Sequence, residues 1–304
     1  MLRIIPTLFL ILFFELTVTP QAPQAPEPAI PDRQNNGSKA ADRNAAFIES
    51  IKTGDVSQVL QLLDVSISPD TTDDEGTPAL HWSVRMNRPQ IAEILLARKA
   101  GVDKEDHNGG NTALHIAAVE GRSDLVKLLI KFGADVNHKD SAGHTALMCA
   151  AFGATLRSAP VWLASSFYEI DEDDDLFRMM GSEHHQAAKL LLEAGANVNA
   201  QGKDCGLTVL MIAALGGNVE LTKLLLERHA DLNLGDGNWT ALRYAETIDS
   251  PQGLKDILAD IDDQDSRQTF LNWVHLTAAS RRAVATMLRK AGANQTTLLN
   301  YSNR

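Results

Sequence analysis

The sequence predicts an all-α repeat solenoid, and three observations carry that prediction. The first is self-similarity: the run Thr112-Ala113-Leu114-His115-Ile116-Ala117-Ala118, with Gly121 behind it, returns up and down the chain. Its leucine recurs as Leu80, Leu114, Leu147, Leu210 and Leu242, at intervals of 34, 33, 63 and 32 residues. The second is a triple-aliphatic run behind the small residues, as in Leu128-Leu129-Ile130, Leu190-Leu191-Leu192 and Leu224-Leu225-Leu226. The third is a closing phrase, Gly133-Ala134-Asp135-Val136-Asn137 in its fullest form. A chain of 304 residues, 44% of them hydrophobic, can bury a sizeable core. In a stack that core is spread along a line, so length counts repeats and not globular domains.

Residues 112–140 closely resemble one ankyrin repeat. The resemblance implies units of hairpin loop, helix A, tight turn and helix B, stacked side by side. It gives five recognisable repeats plus degenerate N- and C-terminal caps within 44–294, with a tail at 295–304. It also implies that His81 and His115 tie the hairpin loops of adjacent repeats by hydrogen bonds. Met148, Met211 and Arg243 stand at that position in the later repeats, whose loops are expected to lose the tie.

Taken in order, the chain opens with Met1-Leu2-Arg3 and an apolar run from Ile4 to Phe14, stopped by Glu15. As a helix that run reaches about 16 Å against a hydrocarbon layer of about 30 Å. Residues 1–19 therefore read as a signal peptide, with an uncleaved N-terminal anchor as the alternative. The expected location is outside the cytoplasm, periplasmic or secreted, or else at a membrane held by the N-terminus. Residues 20–43, with prolines at 20, 23, 26, 28 and 31, read as an extended linker. The N-terminal cap follows, with Phe47 to Ile51, Gly54 and Val59 to Leu63 in the helix A, turn and helix B places. Gly133 and Gly195 stand where a left-handed helix end is expected, while Lys99 and His229 occupy the equivalent positions and predict strained or differently closed ends. A final unit spans Phe270 to Asn294.

The 63-residue interval marks an insertion at about 154–182, between helix A and helix B of the Leu147 repeat. It carries the aromatics Trp162, Phe167 and Tyr168, and an acidic run containing Asp171, Asp173 and Asp175. Long loops in compact folds are functional or disordered. Two readings stand: a solvated acidic loop, or an arm that docks a partner. The run is not an EF-hand, because Leu176 and Ser182 replace its turn glycine and its bidentate glutamate. His184 and His185 are adjacent, so on a helix they point about 100° apart and do not converge on one metal ion.

In ankyrin stacks partners usually bind the concave face, and the resemblance places one helix A residue per repeat there: Trp82, Ile116, Cys149, Ile212 and Tyr244. Arg85, Met86, Glu120, Phe152 and Leu215 lie beside them. They read either as a hydrophobic ladder that binds a protein or as cover for the neighbouring alanines. The formal charge of −11 argues against nucleic acid. Cys149 and Cys205 lack metal spacing and are expected to be free thiols. There is no nucleophile elbow, phosphate loop or zinc spacing, so no catalytic, cofactor or metal site is expected. The function the sequence predicts is a monomeric, non-enzymatic protein-binding scaffold, inhibitory or adaptor in kind, with a membrane-tethered spacer as the alternative.

Overall fold

The computed structural model describes residues 35–107, 109–156, 181–203, 206–235, 239–247, 250, 254–255 and 264–293. Twelve helices lie among them: α1 (Asn35–Thr53), α2 (Val56–Asp64), α3 (Ala79–Arg85), α4 (Pro89–Ala97), α5 (Ala113–Val119), α6 (Ser123–Lys131), α7 (Ala146–Leu156), α8 (Gly181–Glu193), α9 (Val209–Leu215), α10 (Val219–Glu227), α11 (Ala241–Thr247) and α12 (Gln264–Lys290). Odd-numbered helices α1 to α11 pack in one row, and α2 to α12 pack in a second row behind it. This is the helical solenoid that the recurring pattern predicts.

Composition explains the two rows. The inner helices are built on alanine pairs, Ala117-Ala118, Ala150-Ala151 and Ala213-Ala214, all buried. Small side chains let neighbouring inner helices come close. The outer helices supply bulk through Leu95, Leu129, Leu191 and Leu225, none of which is exposed. Removing one of them opens a cavity between two repeats at once.

The outer helices end alike. Ala100 N–H donates to Leu95 O at 2.9 Å, Ala134 to Leu129 at 3.1 Å, Ala196 to Leu191 at 2.9 Å and Ala230 to Leu225 at 3.0 Å. This is the Schellman closure, and it requires a left-handed residue just before each donor. Gly133 and Gly195 provide it at φ of 88° and 92°. Lys99 and His229 are forced into the same region, at 72° and 59°. The expected strain is present, and the closure itself is unchanged.

Three boundaries differ from the sequence expectation. Helix α1 begins at Asn35, inside the stretch expected to be extended. Helices α7 and α8 run to Leu156 and from Gly181, longer than the inner and outer helices of other repeats, so the repeat frame continues further into the insertion from both sides. The C-terminal unit is one helix of 27 residues and not a helix pair. Phe270, Trp273, Val274, Thr277, Arg281, Val284, Ala285 and Leu288 bury one face at helical spacing throughout. The turns elsewhere use a left-handed Gly54, Asn87, Gly121 or Gly217, and no residue of α12 is left-handed.

Replacing Lys99 or His229 by glycine removes the left-handed penalty. Each variant is expected to gain about 0.5–1 kcal/mol in urea unfolding, net of the greater freedom of glycine in the unfolded chain. Unchanged or lower stability in both would contradict the strained-end account.

Candidate functional site

The inner face is organised by ties from each repeat to the next. Asp70 Oδ1 accepts Gly101 N–H at 2.7 Å and Asp103 Oδ1 accepts Asp135 N–H at 3.0 Å. Asn137 Oδ1 accepts Asn197 N–H at 2.7 Å and Asn199 Oδ1 accepts Asp231 N–H at 2.8 Å. Behind them, His81 Nε2–H donates to Asn111 O at 2.9 Å and His115 Nε2–H to His144 O at 3.2 Å. Both motif histidines therefore join adjacent hairpins. His115 Nδ1 also meets Thr112 N–H at 3.2 Å and the Thr112 hydroxyl at 2.9 Å, which fixes the proton on Nε2.

Departures from the motif leave matching orphans. Pro78 stands where Thr112 does, with neither N–H nor hydroxyl, and His81 Nδ1 has no partner. Met148 stands where His115 does, and the Thr145 hydroxyl has none. In the next repeat Met211 Sδ accepts Thr208 N–H at 3.4 Å, a weaker version of the same contact. A thioether has no proton to give a neighbouring loop, so the forward tie is lost with the histidine. Burial pushes the His81 imidazole down to about 4 and lowers that of His115. Both are neutral at pH 7, as their hydrogen bonds require.

The ladder expected on the inner face is corrected by burial. Ile116, Cys149, Phe152, Ile212, Leu215 and Tyr244 are all buried, with Ile212 at 0% exposure. Neighbouring inner helices approach across alanines, and each larger side chain fills the remaining space. Tyr244 packs beside Trp239 with ring centroids 5.1 Å apart. These six offer a partner little apolar surface. Cys149 is unpaired, and burial raises its thiol pKa. Cys205 and the insertion residues Trp162, Phe167, Tyr168, Asp171, Asp173 and Asp175 lie outside the described residues. His184 is buried with Nε2–H donated to Val119 O at 2.9 Å, which gives it a structural partner.

What stays partly exposed is the N-terminal end of the face: Trp82, Arg85 and Met86, with Glu120 largely buried near Arg85. Trp82 Nε1–H donates to Asp73 Oδ2 at 2.7 Å. Lys52 Nζ lies 3.9 Å from its ring centroid and Arg85 Cζ 5.5 Å. Met86 is 37% exposed beside them. Glu120 Oε2 lies 3.5 Å from Arg122 Nε, and burial pushes its carboxyl up to about 7 against the opposing pull of Arg122 and Arg85. Lys52 and Arg122 are absent from the sequence-based set. Lys52 had a legible signal, since it precedes Gly54 by two residues as Arg85 precedes Asn87.

These features define a helical repeat stack with histidine-tied hairpins and a half-buried aromatic-cationic cluster at its N-terminal end. The chain belongs to the ankyrin-repeat family: the family model for ankyrin repeats (3 copies) matches residues 100–159 and 176–268. The unmatched stretch between them falls within the insertion. A putative palmitoyltransferase ZDHHC13 of Danio rerio is 26% identical over 74% of this chain and 36% of its own length. A putative ankyrin repeat-containing protein of Treponema pallidum is 36% identical over 34% of this chain and 35% of its own. The NF-kappa-B inhibitor cactus of Drosophila yakuba is 29% identical over 60% of this chain and 41% of its own. The chain thus spans about a third of the length of the first two. Family and fold together make it a protein–protein interaction module. No helix among the described residues is long and apolar enough to cross a membrane.

The pH dependence of the histidine ties has a definite sign. His81 titrates near 6.5 unfolded and about 4 folded, so the unfolded chain takes up its proton first as pH falls. The stability it contributes is complete above pH 6.5 and is lost between 6.5 and about 4. At pH 4.5 the loss is roughly 2–3 kcal/mol. A His81→Met variant is expected to lose correspondingly less than wild type between pH 7 and 4.5 in urea titrations. Equal losses in both would contradict the neutral, buried imidazole.

Proposed function

We propose that this chain is a non-catalytic adaptor or inhibitor that recognises another protein with the N-terminal end of its inner face. The observation that carries this reading is Trp82, a half-buried aromatic fixed by Asp73 and flanked by Lys52, Arg85 and Met86, in a row where Ile116, Cys149, Phe152, Ile212, Leu215 and Tyr244 are buried. Trp, Arg and Met are the residue types enriched at interface centres. A side chain already held in place also loses little freedom on binding, which favours affinity.

The place of action we infer is outside the cytoplasm, on the strength of the apolar run Ile4 to Phe14 and its basic start. A start of the mature chain near residue 20, found by N-terminal sequencing, would support export. An intact N-terminus would favour the membrane-tethered alternative. The insertion, with its aromatics and acidic run, is a second candidate for contact, and deleting 157–180 separates its contribution from that of the inner face. The protein is proposed to act as a monomer.

Trp82→Ala tests the recognition surface directly. In a variant that keeps its helical circular dichroism and melting profile, affinity for a partner captured by the full chain is expected to fall by roughly thirtyfold, the equivalent of about 2 kcal/mol. A folded variant with full affinity would remove this end of the face as the recognition surface.

A further inference from the structure

We propose that the N-terminal end of the inner face is a docking site for an acidic peptide segment, with Glu120 as a built-in competitor for the arginines that hold it. This rests on the protein-binding reading above and names the partner's chemistry.

Charge placement is the first argument. The chain carries a formal −11, yet Lys52 and Arg85 lie over Trp82, Arg88 reaches the Lys52 and Thr53 carbonyls, and Arg122 joins Arg85 around Glu120. Arg88 is committed elsewhere: its Nη2 donates to the Lys52 and Thr53 carbonyls at 3.3 and 3.2 Å and so closes the end of α1. Lys52 and Arg85 remain to face a ligand, together with the 17% of the Arg122 side chain that stays exposed beside Glu120. A carboxylate meets a guanidinium best through two parallel bonds of about 2.8 Å. Glu120 engages Arg122 through a single contact at 3.5 Å, well short of that geometry. An incoming carboxylate can do better.

The surroundings of Glu120 give the site its second property. Arg122 faces it from its own turn and Arg85 from α3. On the repeat behind, α7 carries Cys149 and α8 carries Glu183, His184, His185, Lys189 and Glu193; of these His184 is bound to the Val119 carbonyl beside Glu120. With two guanidinium groups near it, Glu120 still holds its proton up to about pH 7, because burial outweighs them. Protonated, it no longer competes. Ionised, it neutralises part of the cationic surface. The site is therefore more open to acidic ligands below neutral pH than above it.

Size selects the ligand class. A short acidic segment samples the local cations, whereas a long polyanion also meets the field of a chain with excess negative charge. This favours a peptide over a nucleic acid.

The test uses the full chain and fluorescein-labelled deca-aspartate, whose side chains stay ionised across the range, read by anisotropy at low salt. Binding is expected to tighten roughly tenfold from pH 8 to pH 6, following the uncharged fraction of a group titrating at about 7. Glu120→Gln is expected to bind at pH 8 as tightly as wild type at pH 6, with no pH dependence. Arg85→Ala and Arg122→Ala, checked for folding, should each weaken binding at both values. No deca-aspartate binding, an unchanged pH dependence in Glu120→Gln, or tighter binding of a ten-nucleotide oligothymidine would each overturn the proposal. If deca-aspartate fails while Trp82→Ala still abolishes partner affinity, the acidic-segment inference falls and the protein-binding surface stands.

Discussion

The structure depends on the hydrogen bonds that join each hairpin to the next. One carboxylate or amide oxygen per repeat, on Asp70, Asp103, Asn137 and Asn199, takes the N–H of the corresponding residue one repeat later. The bonds fix the translation between repeats. The alanine-paired inner helices can then approach at a repeated spacing, and the leucine-rich outer helices fill what lies behind. Where histidine is present, its buried neutral ring adds a second tie between the same loops.

That constraint explains how the stack tolerates the insertion. Asn137 and Asn197 are 60 residues apart in sequence, nearly twice the usual interval, yet their bond at 2.7 Å matches those of the regular repeats. Asn137 Nδ2 also donates to Gly195 O at 3.3 Å. The extra residues leave from the helix A to helix B connection, while the ties run through the hairpins, so the two do not compete. His184 secures the returning helix by reaching across to the Val119 carbonyl of the preceding repeat. The same regularity restricts where recognition can occur. Neighbouring helices bury Ile116, Ile212 and Tyr244, while Trp82 and Met86 in the first repeats keep part of their surface.

The repeats were legible because their signals are local. Leu114 with its alanines, Leu128-Leu129-Ile130 and Gly133 each report on one helix or one helix end. The conflict at Lys99 and His229 was readable for the same reason, since a left-handed position can be located without knowing the neighbours. The motif histidines came with the family resemblance. Burial of the inner row was not legible, because Ile212 lies at 0% exposure only when the helices on either side are counted. The final helix was missed because Gly292-Ala293-Asn294 copies a repeat ending, while the evidence against a helix pair is the lack of a left-handed turn residue within 264–290. The cation cluster escaped because Lys52, Arg85 and Arg122 come from different units. Their proximity to Trp82 and Glu120 is a property of the stacking.

Native-state amide hydrogen exchange at Gly101, Asp135, Asn197 and Asp231 tests the tie-based account most directly. If these bonds hold the stack together, all four amides are protected to about the level of the buried inner helices, and Asn197 no less than the others. Rapid exchange at Asn197 beside protection at the other three would show that the stack is broken at the insertion. Exchange at unstructured-chain rates at all four would contradict the account altogether.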